Sequence, residues 1–502
     1  MLKLNGEPLS LTDIHAVAQQ GATVELGASA RERIAASRRV VEDILARGEV
    51  MYGINTGFGR LSTVVIPAEK MGELQLNLVR SHACGVGEPL PEPIVRTMML
   101  LRANVLAKGV SGARPRCAEI LTELLNKGVT PRIPSRGSVG ASGDLAPLAH
   151  LALVLIGEGF ATYQGEPMSG GEALGKAGIE PLVLQAKEGL ALLNGTQAIG
   201  AVGWHALERA YRLVRVGTRI AVMSMEALRD SPAAFDERIQ AVRPHAGQGE
   251  VATWLRQDFE GSEIRESHRF GDDRVQDAYS LRCMPQVHGA ILDVLRHVES
   301  VLAIESGSGT DNPLVFAAEG DVISGGNFHG APLAYAMDYA AIAMADFMSI
   351  SERRIERLVN PDLSEGLPAF LAKSPGMESG FMMAQVTAAA LLCEARSLAH
   401  PASCDNTPTS AGKEDHVSMG MTAALQFEQI VGLAEHVVAV EALAAVEGLE
   451  FRRPMRSSAV IEQLREEIRR IVPPVTADRA FGYDIEVLAE ALRAGTIEAS
   501  TP

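Results

Sequence analysis

A chain of 502 residues with 47% apolar and 22% charged residues has an ordinary globular composition, long enough for more than one core and unlike a disordered tract. Its net charge of −16 argues against nucleic acid or an anionic lipid surface as partner, since both need a basic face. Five widely spaced cysteines without a CxxC pair argue against a disulfide frame or a zinc ribbon and for reduced thiols in the cytoplasm.

Aromatic residues are only 4% of the chain, so the core has to be filled by Leu, Ala, Val, Ile and Met, a mix that suits packed helices. The first twenty residues lack the apolar run of a secretory leader, and none is expected. ARERIAASRRVVEDILARG carries Val40, Val41, Ile44 and Leu45 on one stripe and predicts a helix that stops at Gly48. Pro67 and Pro93 stand ahead of helical runs, where a first turn tolerates them, and CAEILTELLNK predicts a third helix ending at Gly128.

Near residue 195 the pattern changes. Four long, Ala-rich apolar stretches follow, at about 196–229, 285–307, 331–359 and 415–448. Helices apolar around most of their girth cannot stand alone in water, so a bundle is expected, completed by further subunits. The stretch APLAYAMDYAAIAMADF includes Asp338 and Asp346 and reads as buried helix, with no membrane partner expected. The fold expectation is therefore mainly α: a smaller N-terminal domain over 1–195, a central long-helix bundle over 196–450 and a helical cap over 451–502. Between the helices lie small, polar loops (YGINTGFG, SRGSVGASGD, SGTDNP, SGGNFHG), and a rigid frame with its chemistry in loops is the arrangement to expect.

Of these loops SRGSVGASGDLAP, residues 135–147, says the most. It lacks the GxSxG elbow of a hydrolase nucleophile. Gly143 has no Cβ, so its amide nitrogen can fold back onto the carbonyl carbon of Ala141. Loss of water from that ring and from Ser142 leaves a conjugated imidazolone with an exposed methylene, an electrophile made from the chain itself. The tripeptide alone is a weak signal and reads first as a plain turn before a helix. Asp144 follows it and reads as the cap of LAPLAHLALVLIGEG.

Other blocks give the loop its context. GSVGASGDLAPLAH, YGINTGFG, LVRSHACGVGEPL, LLNGTQA, RVQDAYSLRCMPQVHG, SGTDNP, SGGNFHG, SERRIERL, SGFMMAQVTAAAL and EDHVSMG resemble, in order and spacing, the aromatic amino acid ammonia-lyase family along nearly the whole chain. The resemblance implies an ammonia-lyase/fumarase-like long-helix fold and an N-terminal domain holding the cofactor loop. It also implies a 4-methylidene-imidazol-5-one cofactor formed from Ala141, Ser142 and Gly143, and no metal or nucleotide. Glu414, Asp415 and His416 are adjacent, but neighbours of that kind do not converge on one ion, and no HExxH is present. The expected assembly is a homotetramer whose active sites are shared between subunits, with Tyr52 and Ser142 drawn from different chains.

Carried over residue by residue, the resemblance implies Tyr52 as the base, an electrophile from Ala141-Ser142-Gly143, and Tyr279 beside them. A tyrosine acting near neutrality needs help from nearby positive charge or helix N-termini. Arg282 matches the clamp for the substrate carboxylate, where a guanidinium fork suits the group. Asn194, Gln276 and Phe328 match residues around cofactor and substrate. Without the family, each of these has a plainer reading as a packed or salt-bridged side chain.

The side-chain end of the pocket selects the amino acid. Ser81-His82 and Met382 resemble the family's histidine-specific members, and Glu414 stands where tyrosine- and phenylalanine-specific members carry Gln. A carboxylate facing a phenyl ring is left unpaired at a cost of a few kcal/mol, whereas an imidazole N–H satisfies it. One departure is Gly412-Lys413 before Glu414, where the histidine-specific members show Asn-Gln; Lys413 is expected to point away, and if inward it pairs with Glu414. The sequence thus predicts deamination of L-histidine to trans-urocanate and ammonia, a step of histidine catabolism. The alternatives are a tyrosine ammonia-lyase, a tyrosine 2,3-aminomutase, or a non-catalytic helical scaffold.

Overall fold

Helix dominates the computed structural model, which describes residues 1–57, 59–61, 63–271 and 274–497. Phe58 of the YGINTGFG block, and the end of the stretch expected as a cap, lie outside that range. The twenty-residue helix Ala28–Arg47 ends at Gly48, whose left-handed φ of 69° lets its N–H reach back to the last turn. Pro115–Lys127 ends the same way at Gly128 (φ 72°). Pro67 precedes a 3-10 turn, Ala68–Lys70, that leads into Met71–His82, and Pro93 lies in the first turn of Glu92–Ala107.

The four long apolar stretches are the helices Gln197–Ala227, Met284–Ser306, Ala331–Val359 and Gly420–Glu450. The last begins five residues later than its apolar pattern, because residues before Gly420 are tied into a loop described below. Ala331–Val359 and Gly420–Glu450 are long and apolar enough to cross a membrane by composition, yet 72% and 78% of their most apolar windows are buried within the protein. Strands are three or four residues long and form small two- and three-stranded sheets, as the low aromatic content leads one to expect.

Contacts divide the chain into two units. The first comprises 1–205, 298–338 and 401–425; the second comprises 206–297, 339–400 and 426–502. In the first, Glu92–Ala107 is buried at every residue from Ile94 to Ala107, so it serves as a central post. Leu145–Leu155 and the short helix Glu188–Leu193 are buried beside the loops that matter below.

The second unit keeps charges in its interior by pairing them. Glu441, fully buried, accepts hydrogen bonds from Ser224 Oγ (2.8 Å), Ser351 Oγ (2.6 Å), Arg354 Nε (2.6 Å) and Arg354 Nη2 (2.9 Å). A buried ion pair is tolerable only when its remaining donors and acceptors are filled in this way. Arg354 Nη1 also donates to the carbonyl of Ser280 (3.3 Å), within the short helix Tyr279–Arg282.

Candidate functional site

Residues 137–144 form a tight loop in which Gly137 (φ 132°), Gly140 (φ 70°) and Gly143 (φ 73°) take left-handed backbone. Two of these glycines have no room for a side chain. A Cβ on Gly143 would lie 2.1 Å from the carbonyl oxygen of Gly195, and one on Gly140 would lie 2.1 Å from Ser418 Oγ. The amide of Asp144 donates to the same Gly195 carbonyl at 2.7 Å, so the tripeptide is pressed against the Asn194–Gly195 turn. Ala141 and Gly143 are buried, and only Ser142 between them is partly open.

Asp144 occupies the position ahead of Leu145–Leu155, but its side chain does not cap that helix. Its Oδ2 instead accepts the amide of Ile199 (2.8 Å) in the first turn of Gln197–Ala227, and its Oδ1 accepts Ser138 Oγ (3.0 Å). The sequence expectation of a local cap is corrected: a helix N-terminus more than fifty residues away offers the better donors. Burial raises the Asp144 carboxyl to about 7, against the opposing pull of those donors.

Beneath the turn lies Arg102, fully buried. Its Nη1 donates to the Asn194 carbonyl (2.6 Å) and to Gln197 Oε1 (2.8 Å). Burial lowers its pKa to about 10, so it stays cationic at neutral pH. Nothing in the local sequence marked Arg102, because its partners are more than ninety residues away.

Ser142 opens into a cavity of about 480 Å³ whose lining includes Tyr52, His82, Asn194 and Glu414. The Tyr52 loop is fixed by Asn55, whose Oδ1 accepts the Met51 amide (2.8 Å) and whose Nδ2 donates to the Glu49 carbonyl (2.8 Å). Tyr52 and Ser142 therefore face one cavity of a single chain. The expectation that they come from different chains is corrected, because both loops are anchored within the first unit. His82 closes Met71–His82, with Nδ1 2.9 Å from the Leu78 carbonyl, an acceptor that places the proton on Nδ1 and leaves Nε2 with a lone pair. Burial lowers the His82 pKa, so the ring is neutral at pH 7, while the Leu78 carbonyl and the charge of Glu414 act the other way.

Glu414 meets three hydroxyls. Oε1 accepts Ser142 Oγ (3.0 Å), and Oε2 accepts Thr409 Oγ1 (2.7 Å) and Ser410 Oγ (2.6 Å). Lys413 is exposed, in keeping with an outward orientation. Thr409 and Ser410 were not singled out from sequence; the PTS preceding the block was the only available signal.

Gln276, Tyr279 and Arg282 lie in the second unit, on or beside a concave surface that Gln276 and Arg282 line. Arg282 Nε donates to the Asp277 carbonyl (2.9 Å), and its guanidinium lies 4.5 Å from the Tyr279 ring centroid. Tyr279 is 71% exposed. Met382 opens the helix Met382–Leu398 of the same unit. Phe328 belongs to the first unit and is half-buried, outside the cavity lining. The next residue, His329, bonds the carbonyl of His416 through Nε2 (3.2 Å).

The tripeptide's surroundings fit the ring expected from it. Gly143 and Gly195 leave no space for side chains where the ring backbone must fold, and Asn194 Oδ1 is buried without a protein partner at the cavity wall. An N–H or O–H donor entering the cavity would satisfy that oxygen.

A family model described as aromatic amino acid lyase matches residues 9–470. Histidine ammonia-lyase of Koribacter versatilis (strain Ellin345) is 50% identical over 511 residues, covering 99% of each chain. Among solved structures, histidine ammonia-lyase from Trypanosoma cruzi matches with a TM-score of 0.91 and 43% identity, over 99% of this chain and 94% of that one. Tyrosine aminomutase from Streptomyces globisporus matches with a TM-score of 0.93 and 38% identity, over 99% of this chain and 97% of that one.

Proposed function

The chain belongs to the aromatic amino acid lyase family, and from that premise we propose that it is a histidine ammonia-lyase, converting L-histidine to trans-urocanate and ammonia. Its fold is the mainly helical fold of the ammonia-lyases and aminomutases. The observation that carries the substrate is Glu414, a carboxylate at the Ser142 cavity with His82 on the same lining. Against a phenyl ring Oε1 would be desolvated without a donor; against imidazole it receives an N–H.

Ala141, Ser142 and Gly143 would supply the 4-methylidene-imidazol-5-one group, and when formed its methylene captures an amine and makes it a better leaving group. The chain's own side chains do the rest. Tyr52, on the same cavity wall as Ser142, takes the β-proton. Asn194 donates to the polar atoms at the reacting end, and Arg282 holds the substrate carboxylate with Gln276 and Tyr279 at its side. His82 and Glu414 receive the imidazole. In this reading the active protein is a cytoplasmic homotetramer, and Arg282, Tyr279 and Gln276 serve a site completed by another subunit.

Purified protein incubated with L-histidine, L-tyrosine and L-phenylalanine tests the reading by product. Urocanate is expected. Coumarate or cinnamate without urocanate would sink the substrate assignment. The likeness to tyrosine aminomutase favours one second reading, for which β-tyrosine among the products is the mark. A chain that keeps the full mass of its sequence, with neither water lost, would support the non-catalytic scaffold.

A further inference from the structure

The three hydroxyls on Glu414 are unequal in consequence. Thr409 and Ser410 belong to the carboxylate's own loop and fill Oε2. Among the described residues Oε1 has one partner, Ser142 Oγ, 272 residues away in sequence. The Glu414 loop is sewn directly to the tripeptide loop: the Met419 amide donates to the Val139 carbonyl (2.9 Å) and Ser418 Oγ to the Gly140 carbonyl (3.2 Å). Within the Glu414 loop, Asn406 bridges the Asp415 carbonyl (2.9 Å) and the Val417 amide (2.7 Å). The carboxylate and the Ser142 hydroxyl are thus held together from both sides.

Ring formation releases two waters. The first takes the Ala141 carbonyl oxygen with the N–H protons of Ser142 and Gly143, as the Gly143 N–Ala141 C bond forms and Ala141 C becomes doubly bonded to Ser142 N. The second takes Ser142 Oγ with its own proton and the proton of Ser142 Cα, leaving a Cα=Cβ double bond. For the second loss the Cβ–Oγ bond must stand across the ring plane. A free serine hydroxyl samples three staggered rotamers. One held by a carboxylate at 3.0 Å does not.

We propose that Glu414 is a positioning residue for Ser142 during formation of the cofactor, fixing the hydroxyl for departure before it ever meets substrate. The proposal rests on the reading of Ala141-Ser142-Gly143 as the precursor of the ring. Departure of that oxygen removes the one partner of Oε1, and the acceptor becomes available to an imidazole N–H. One carboxylate then serves two successive donors, and the chain offers its substrate contact only after it has matured.

Intact mass spectrometry of freshly expressed full-length chains tests this without any substrate. Wild type is expected to lack two waters. Glu414→Ala is expected to lose the second water at least about tenfold more slowly, Glu414→Gln, which keeps an acceptor oxygen, to stay near wild type, and added formate to accelerate Glu414→Ala. Glu414→Ala maturing as fast as wild type overturns the proposal. So does slow maturation that neither the glutamine variant nor formate relieves, since that is the mark of a damaged loop. A wild-type chain that retains both waters overturns the ring reading itself. Coumarate from wild type, beside a slow Glu414→Ala, removes the substrate assignment and leaves this proposal standing.

Discussion

The Tyr52–Ser142–Glu414 cavity and the Gln276–Arg282 segment carry two parts of one proposed chemistry, and they are built in opposite ways. In the first, three of the chemical side chains have internal partners: Ser142 on Glu414, Glu414 on Thr409 and Ser410, His82 on Leu78. In the second, Arg282 is braced by the Asp277 carbonyl and Arg354 supports Ser280 from beneath, yet Val275 is 99% exposed and Tyr279 71%. In the proposed assembly that exposed surface is where another subunit would pack. On the proposed reading, the electrophile end is finished by folding, and the carboxylate clamp by assembly.

Breaking the first region at its base should have the largest effect. Tyr52→Phe is expected to lower kcat by about a thousandfold with little change in KM, measured as urocanate absorbance, because only proton removal is lost. Beneath the second region, Arg354→Met leaves Glu441 buried and uncompensated and should cost about 3 kcal/mol of stability, read as a lowered Tm in thermal melts. Arg282→Met should lower kcat/KM about a hundredfold, chiefly through KM. Chains carrying Tyr52→Phe mixed with chains carrying Arg282→Met should recover up to about a quarter of the activity if one site draws on both chains; no recovery would place both regions in one chain's site.

Smaller effects sharpen the pocket's account of itself. Glu414→Gln should mature yet lose about tenfold in kcat/KM for L-histidine, with a smaller loss for L-phenylalanine. His82 gives a pH signature. Its folded pKa lies below the ordinary 6.5, so the fold disfavours the protonated ring; the stability it contributes is complete above pH 6.5 and is lost as pH falls through the lowered value. His82→Gln should flatten the acid limb of Tm against pH, and an unchanged limb would assign that limb to other groups.

The helices were legible because their signals are local. The stripe of Val41 and Ile44, the C-terminal glycines 48 and 128, and the length of the apolar runs each act within a few residues. The tripeptide and Glu414 were legible through the chain-wide resemblance and little else. What escaped was long-range pairing. Asp144 reads locally as the cap of its own helix, and only the folded chain offers it Ile199. Arg102 looks like one more charge in an apolar helix until Asn194 and Gln197 arrive from the other end of the unit. The late start at Gly420 has the same origin, since the pattern from 415 onward is helical but Val417, Ser418 and Met419 are claimed by Asn406, Gly140 and Val139.

The contact between Gly143 and Gly195 has a consequence for anyone who would move the proposed electrophile into another protein. With 2.1 Å between a would-be Cβ and the opposing carbonyl, the two glycines form one lock in two pieces, about fifty residues apart in sequence. Grafting Ala-Ser-Gly onto a foreign turn transfers the atoms of the ring without the surface that presses them together. The smallest transplantable unit is discontinuous, the tripeptide loop with the Asn194–Gly195 turn and the arginine beneath it, and any host scaffold would have to present all three in register.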